Sequence, residues 1–240
     1  MEATINTNIE RIGNITSSEI VALVNSKKTF DTYVYECNLE RKLGRSISTE
    51  TNSKPTSWGK LVEKRVFDIL GMEYILSSNQ TDLHPQIKYW AGSKDGIKHD
   101  EGKTVFDIKS PYTLKSFCQL ADCETIEQVR NNHKDGEKYY WQLVSNACIN
   151  DCQWAELIVY CPYQSELATI REMAANIDGD QNKIAWINWS TDDDLPYLIK
   201  GGYYKNLHII RFEVPQTDKD LLTTKVLEAG KLLIDFKTKK

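Results

Sequence analysis

The sequence predicts one α/β domain, a central mixed β-sheet flanked by helices. Three observations lead there. Up to about residue 72 apolar residues recur at helical period between glycine stops and polar runs. The period then falls to two in a pair of short runs near the middle of the chain. From there to the C-terminus helical and strand patterns alternate, as they do when helices pack on a sheet.

The elements follow in order. Thr16-Ser17-Ser18-Glu19 has capping-box spacing, with Ile20, Leu23 and Val24 at helical period behind it, so a helix is expected to open at Thr16. A second helix is expected from Phe30 to Leu43, stopped by Gly44. The polar run from Arg45 to Lys54 reads as a loop. Ser57-Trp58-Gly59-Lys60 then opens a third helix carrying Leu61, Val62, Val66, Ile69 and Leu70, with a stop at Gly71. Gln86 to Ser93 and Lys103 to Ser110 read as strands joined by the Gly- and Asp-rich link Lys94 to Gly102. Beyond them come a helix from Glu137 to Ile149, an apolar strand from Trp154 to Cys161 stopped by Pro162, and a helix from Ser165 to Ala175. A strand Lys183 to Trp189, a loop Asp192 to Pro196, a strand His208 to Val214 and a helix Lys219 to Phe236 complete the prediction.

No internal repeat or linker divides the 240 residues, so 1–240 reads as a single domain. It has a helical part about 1–72, a core about 73–177, a segment about 178–204, and a closing strand and helix about 205–240. A hydrophobic share of 40% and a charged share of 27% suit a globular protein with a proper core. No run approaches the ~20 apolar residues that span a bilayer, and Met1 to Asn6 shows no secretory pattern. A cytoplasmic protein with no membrane partner is expected. Cys148, Cys152 and Cys161 lie near one another, but an iron–sulfur cluster would need a fourth ligand and no C-x2-C pair exists. The six cysteines therefore read as buried free thiols. A net charge of −4 argues against a protein that simply coats nucleic acid, though not against a local basic channel. The four histidines are scattered without metal-ligand spacing, and Lys237 to Lys240 reads as a frayed helix end.

The chemistry concentrates in Gly92-Ser93-Lys94-Asp95-Gly96 and, twelve residues past Asp95, in Val105-Phe106-Asp107-Ile108-Lys109-Ser110-Pro111. On a strand Asp107 and Lys109 share one face while Phe106 and Ile108 take the other, into the core. Two acids and a lysine brought together make a site for a hard cation such as Mg²⁺, which binds a few carboxylates and leaves positions for a phosphate and a water. Lys109 would stand beside that water and stabilise charge in the transition state. A surface hairpin with a salt bridge would show the same spacing.

The wider context resembles the lambda-exonuclease (YqaJ-type viral recombinase) family of the PD-(D/E)XK nucleases, in four blocks and in the family's order. Arg11-Ile12-Gly13-Asn14-Ile15-Thr16-Ser17-Ser18-Glu19 resembles an Arg before G-x-I-T-[AG]-S-E, and Trp58-Gly59-Lys60-Leu61-Val62-Glu63 resembles W-G-x-x-x-E. Ser93-Lys94-Asp95-Gly96 with Asp107-Ile108-Lys109-Ser110-Pro111 resembles S-P-D-G followed by E-L-K-C-P. Tyr139-Tyr140-Trp141-Gln142 resembles the helix with a Y-x-x-Q signature. Asp107 stands for the commoner Glu, Lys94 for a Pro and Val144 for a second Gln, and the 178–204 segment has no counterpart.

The resemblance implies a restriction-endonuclease-like core and a Mg²⁺-dependent exonuclease, with Mn²⁺ able to substitute. The substrate would be linear double-stranded DNA, digested 5′-to-3′ to leave single-stranded tails for phage-type recombination. Asp95, Asp107 and the Ile108 backbone carbonyl would bind the metal, Lys109 would serve the attacking water, and Glu63 and Gln142 would complete the catalytic set. Arg11, Ser18 and Ser93 would line a pocket for the DNA 5′-phosphate. As partners it implies a ring-shaped homotrimer around the DNA and a single-strand annealing protein. Taken alone, Glu63 reads as a solvated charge beside Lys60 and Lys64, Gln142 as a structural amide, Arg11 as an exposed charge and Ser18 as ordinary helix-start chemistry. An endonuclease on the same core, or a DNA-binding protein without catalysis, are the alternative functions.

Overall fold

A computed structural model describes residues 9–47, 53–77, 81–100, 103–176 and 181–236. Lys237 to Lys240 lie outside them, as does part of the Arg45 to Lys54 loop.

The described residues open with a helical turn at Ile9–Arg11 and a short strand, Ile15–Thr16 (β1), followed by Val21–Asn25 (α1). Thr16 therefore caps no helix. Its N–H is taken by the Tyr33 hydroxyl at 2.7 Å, and Ile15 and Thr16 pair with residues 90 and 91 further along the chain. Ser18 lies in the turn before α1, whose cap position is Ile20 with no side-chain bond. The capping-box spacing was a local pattern that a tertiary strand overrode. Lys27–Leu43 (α2) matches the expectation, with Ser26 and Thr29 forming a capping box and Gly44 left-handed at its end. Lys54–Phe67 (α3) starts three residues ahead of Ser57, because Ser53 caps it with Pro55 in its first turn, and it ends short of Gly71.

Seven more strands and six more helices follow among the described residues. They are Tyr74–Leu76 (β2), Asp82–Leu83 (β3), Trp90–Gly92 (β4), Gly96–Lys98 (β5), Thr104–Lys109 (β6), Leu114–Ala121 (α4), Ile126–Asn132 (α5), Gly136–Asn150 (α6), Trp154–Tyr160 (β7), Leu167–Ala175 (α7), Gln181–Trp189 (α8), Leu207–Glu213 (β8) and Gln216–Gly230 (α9). The strands form a three-stranded sheet in the order β1-β4-β3 and a five-stranded one in the order β2-β5-β6-β7-β8. In the larger sheet β6 and β7 run parallel and every other pair is antiparallel, so it is a mixed sheet.

The structure departs from the predicted elements at four further places. The link after Lys94 contains β5, which pairs with β6 through Gly96–Phe106, Ile97–Val105 and Lys98–Thr104. The strand read from Gln86 to Ser93 shrinks to β4 and belongs to the smaller sheet, not beside β6. The run Lys183 to Trp189 is helix α8, because Ile184 and Ile187, three apart, bury one face against α3 and α7. Helix α9 also begins earlier and stops at Gly230, ahead of the expected Phe236.

Alternation along β6 and β7 divides the core. Val105, Leu157 and Val159 point to the layer made by α6 and α9, with Leu143, Val144, Ala147 and Val226. Phe106, Ile108, Ile158 and Tyr160 point to the layer made by α3, α7 and α8. Helix α6 also packs on β4, so it is wedged between the two sheets. All six cysteines are free, and Cys37, Cys123, Cys152 and Cys161 are buried. Among the described residues no helix is long and apolar enough to cross a membrane.

Candidate active site

Asp95 sits where the chain leaves β4 and enters β5. Its N–H donates to the Phe106 carbonyl, and its carbonyl accepts from Ser77. Its Oδ2 accepts the Ile108 N–H at 2.5 Å. The N–H and C=O of one strand residue point toward the same side, so the Ile108 carbonyl faces the side of β6 where Asp95 lies. Asp107 is buried on the opposite side of β6 from Phe106 and Ile108, and its Oδ1 accepts from Gln142 Nε2 at 2.9 Å. Asp107 Oδ2 lies 2.5 Å from Lys109 Nζ as an ion pair. It is nevertheless a buried oxygen without a hydrogen bond of good geometry.

Lys109 Nζ also stands over the Tyr139 ring, 5.1 Å from its centroid. Burial works against the charge of Lys109, but Asp107 and then Asp95 hold its ammonium above the ordinary lysine range. Burial, then the charges of Asp107 and Glu63, push the Asp95 carboxyl well above the ordinary carboxylate range. Glu63 comes from α3, whose Trp58, Leu61, Val62 and Val66 are buried against Phe106 and Ile108. Burial, then Asp107, raise its carboxyl to about 7, against the pull of Lys109, Lys60 and Lys64. The fold thus brings Glu63, Asp95, Asp107, Lys109 and Gln142 into one cluster.

The donor set suits a hard divalent cation. Two carboxylates and a main-chain carbonyl meet beside β6, Asp107 Oδ2 is buried with the Lys109 ammonium next to it, and burial and then the charge of Asp107 raise the Asp95 and Glu63 carboxyls. Among the described residues no group of three or more His, Cys, Asp or Glu side chains is arranged to hold a metal ion by itself. Two carboxylates and a carbonyl would suit Mg²⁺, which keeps several waters and takes few protein ligands. Three of the four histidines are used elsewhere: His84 stacks on Trp90, His133 bonds Ser116, and His208 bonds the Cys123 carbonyl.

Arg11, Ser18 and Ser93 also converge. Arg11 donates from Nη2 to Ser18 Oγ at 2.9 Å and from Nη1 to Ser93 Oγ at 3.3 Å. Among the described residues these bonds go to neutral hydroxyls, which leaves the guanidinium charge available to an anion. Ser18 contributes as a turn hydroxyl, not from a helix N-terminus. Ser93 joins this cluster to Asp95 two residues on. Lys94 pairs with Asp82.

Sequence reasoning gave no role to three residues that complete the arrangement. Tyr139 backs Lys109, Asn146 donates to the Ser93 carbonyl at 3.3 Å, and Thr81 meets Ser93 Oγ at 3.0 Å. Tyr139, Gln142 and Asn146 are spaced three and four apart, which places them on one face of α6, a signal readable from sequence. One helix therefore touches the lysine, the acid and the loop that carries Ser93.

No family model matches the sequence, and no curated protein matches it. Solved structures do share its architecture. LHK-Exo in complex with dAMP is 18% identical, with 95% of this chain and 92% of that chain covered and a TM-score of 0.60. The alkaline exonuclease LHK-Exo from Laribacter hongkongensis is 17% identical over 92% of this chain and 89% of that one, with a TM-score of 0.58. A phage-related exonuclease from Haemophilus somnus 129PT is 14% identical over 91% and 92%, with a TM-score of 0.59. The chain has the fold of these exonucleases, the restriction-endonuclease-like core of a mixed sheet flanked by helices.

Proposed function

We propose that the chain is a Mg²⁺-dependent exonuclease that digests linear double-stranded DNA from 5′ ends. The observation that carries this reading is the juxtaposition of an acid–acid–lysine cluster with an arginine-centred anion pocket, joined by Ser93 to Asp95. Asp95, Asp107 and the Ile108 carbonyl would hold the cation, which when bound supplies Lewis-acid polarisation of the scissile phosphate. Gln142 orients the Asp107 carboxylate. Lys109, steadied by Tyr139, directs the attacking water and stabilises charge growing on the phosphate oxygens. Glu63, poised near neutrality, accepts the proton the water gives up as the P–O3′ bond breaks, and the departing 3′-oxygen takes a proton from solvent. A cut that leaves a new 5′-phosphate regenerates the group that Arg11, Ser18 and Ser93 grip. The dAMP held by one neighbour is a nucleoside monophosphate, the class of product that such a reaction releases.

Arg11→Ala is expected to slow digestion of 5′-phosphorylated duplex by about 10- to 100-fold, the worth of a charge-assisted bond, while the 5′-hydroxyl substrate is almost unchanged. Equal loss on both substrates would make Arg11 a folding or general DNA contact. Initial rates on linear and closed circular duplex separate this reading from an endonuclease, since only the latter attacks the circle.

The same reading takes the chain to be a cytoplasmic homotrimer, a ring enclosing the DNA, that supplies single-stranded tails to an annealing protein in phage-type recombination. A ring would keep an acidic enzyme on a polyanionic track. Met72, Ile75 and Leu76, exposed at and beside the edge strand β2, support a subunit contact there. Light scattering is expected to give three times the chain mass, and a monomer at working concentration would contradict it.

A further inference from the structure

A buried arginine outside the catalytic cluster ties three distant parts of the chain together. Arg41 lies in the last turn of α2 and is only 9% exposed. Its Nε donates to the Gly13 carbonyl at 2.6 Å, its Nη2 to Asn14 Oδ1 at 3.0 Å and its Nη1 to the Ile234 carbonyl at 3.0 Å. Its guanidinium carbon stands 4.6 Å from the centroid of the Phe236 ring. Burial works against this charge, and its hydrogen bonds go to main-chain carbonyls and an amide oxygen. A buried cation spent on the backbone fixes geometry.

The geometry it fixes belongs to Arg11. Asn14 closes a turn onto Arg11, its N–H donating to the Arg11 carbonyl at 3.2 Å and its Nδ2 to the Glu10 carbonyl at 2.8 Å. Gly13 is pressed against α2, with φ +65 and its N–H on Glu40 Oε2 at 2.8 Å. A Cβ there would come within 2.5 Å of Arg41 Cγ and 3.2 Å of the Cys37 carbonyl, so the turn needs glycine for both conformation and approach. The far side of Arg41 is held by the segment after α9. Asn38, three residues before Arg41, donates to the Leu232 carbonyl and accepts from the Ile234 N–H, both at 2.9 Å.

We propose that Arg41 is a positioning residue for Arg11: it clamps the Gly13–Asn14 turn between α2 and the C-terminal strap Leu232–Phe236, and so sets the grip on the terminal phosphate. This rests on the reading of Arg11, Ser18 and Ser93 as a 5′-phosphate pocket. Arg41 lies outside that pocket and outside the hydrolytic cluster. Its loss would leave the Gly13 and Ile234 carbonyls and Asn14 Oδ1 without their donor, loosening the turn that carries Arg11.

The test compares initial digestion rates on 5′-phosphorylated and 5′-hydroxyl linear duplex, in the full chain, for the unmutated protein and for Arg11→Ala, Arg41→Met, Asn38→Ala and Phe236→Ala. Arg41→Met is expected to lose about tenfold in kcat/KM on phosphorylated ends, carried by KM, with the hydroxyl substrate within about twofold. Asn38→Ala and Phe236→Ala should shift the same ratio in the same direction by less. An undiminished phosphate preference in Arg41→Met, or equal loss on both substrates, overturns the proposal. If Arg41→Met does not fold, an unchanged preference in both other variants overturns it. A preference abolished by Arg11→Ala but untouched by the Arg41, Asn38 and Phe236 changes removes this inference alone. No preference in the unmutated protein removes the pocket and the inference together.

Discussion

Lys109→Ala is expected to lower turnover on linear duplex by about 10²- to 10³-fold while DNA binding survives, the usual cost of one preorganised electrostatic stabiliser. The geometry makes the side chain hard to replace. Its ammonium is bounded by Asp107 at 2.5 Å and by the face of Tyr139 at 5.1 Å, so its position is set from two sides. Lysine places a compact charge there, and the broad planar fork of arginine would not fit the same contacts, so Lys109→Arg should recover little. Single-turnover rates at saturating DNA, with circular dichroism to confirm folding, separate the chemical step from binding. A Lys109→Ala protein with full single-turnover activity would remove the lysine from the mechanism.

The second large effect is a pH-dependent stabilisation by Mg²⁺. In the metal-free chain the Glu63 carboxyl is raised from its ordinary value to about 7, and Asp95 is raised as well. A raised acid favours the folded state in its protonated form. Its contribution is complete below the unfolded pKa and is lost as pH climbs through the folded one. Glu63 therefore makes the metal-free protein less stable at pH 8 than at pH 5, within a window ending near 7. A cation held by Asp95 and Asp107 beside Glu63 favours the ionised acids and offsets this. At about 100 times its Kd it contributes about 2.7 kcal/mol, or about 5–10 °C in Tm for a chain of this size. Differential scanning calorimetry should show that shift at pH 8 and a smaller one near pH 5. Equal shifts at both pH values, or the same shift in Asp107→Ala, would count against a metal on these acids.

Much of this site was legible before the fold was. The alternation of Val105, Phe106, Asp107, Ile108 and Lys109 assigns faces on a strand without tertiary information, and β6 realises it. Helix α2 with Gly44, helix α6 and strand β7 were equally open to reading, because each is long and strongly patterned. The errors fall where local pattern and tertiary partner disagree. Strand β5 is three residues in a Gly- and Asp-rich stretch, and only β2 and β6 make it a strand. Helix α8 reads as a strand because Ile184, Trp186, Ile187 and Trp189 favour sheets, yet Trp189 ends 84% exposed while the isoleucines pack inward. Thr16 looks like a cap until Tyr33 and β4 claim it. The meeting of Arg11 with Ser18 and Ser93 has no trace in spacing, since 82 residues separate Arg11 from Ser93, and resemblance alone suggested it.

The central claim, hydrolysis of DNA by a metal held on Asp95 and Asp107, is tested most directly by one digestion. Linear duplex labelled at its 5′ ends is incubated with the unmutated protein and with Asp107→Ala, each in Mg²⁺ and in excess EDTA. The account predicts release of labelled mononucleotide by the unmutated protein in Mg²⁺ and by none of the other three. Equal release in EDTA, or full activity in Asp107→Ala, would contradict it.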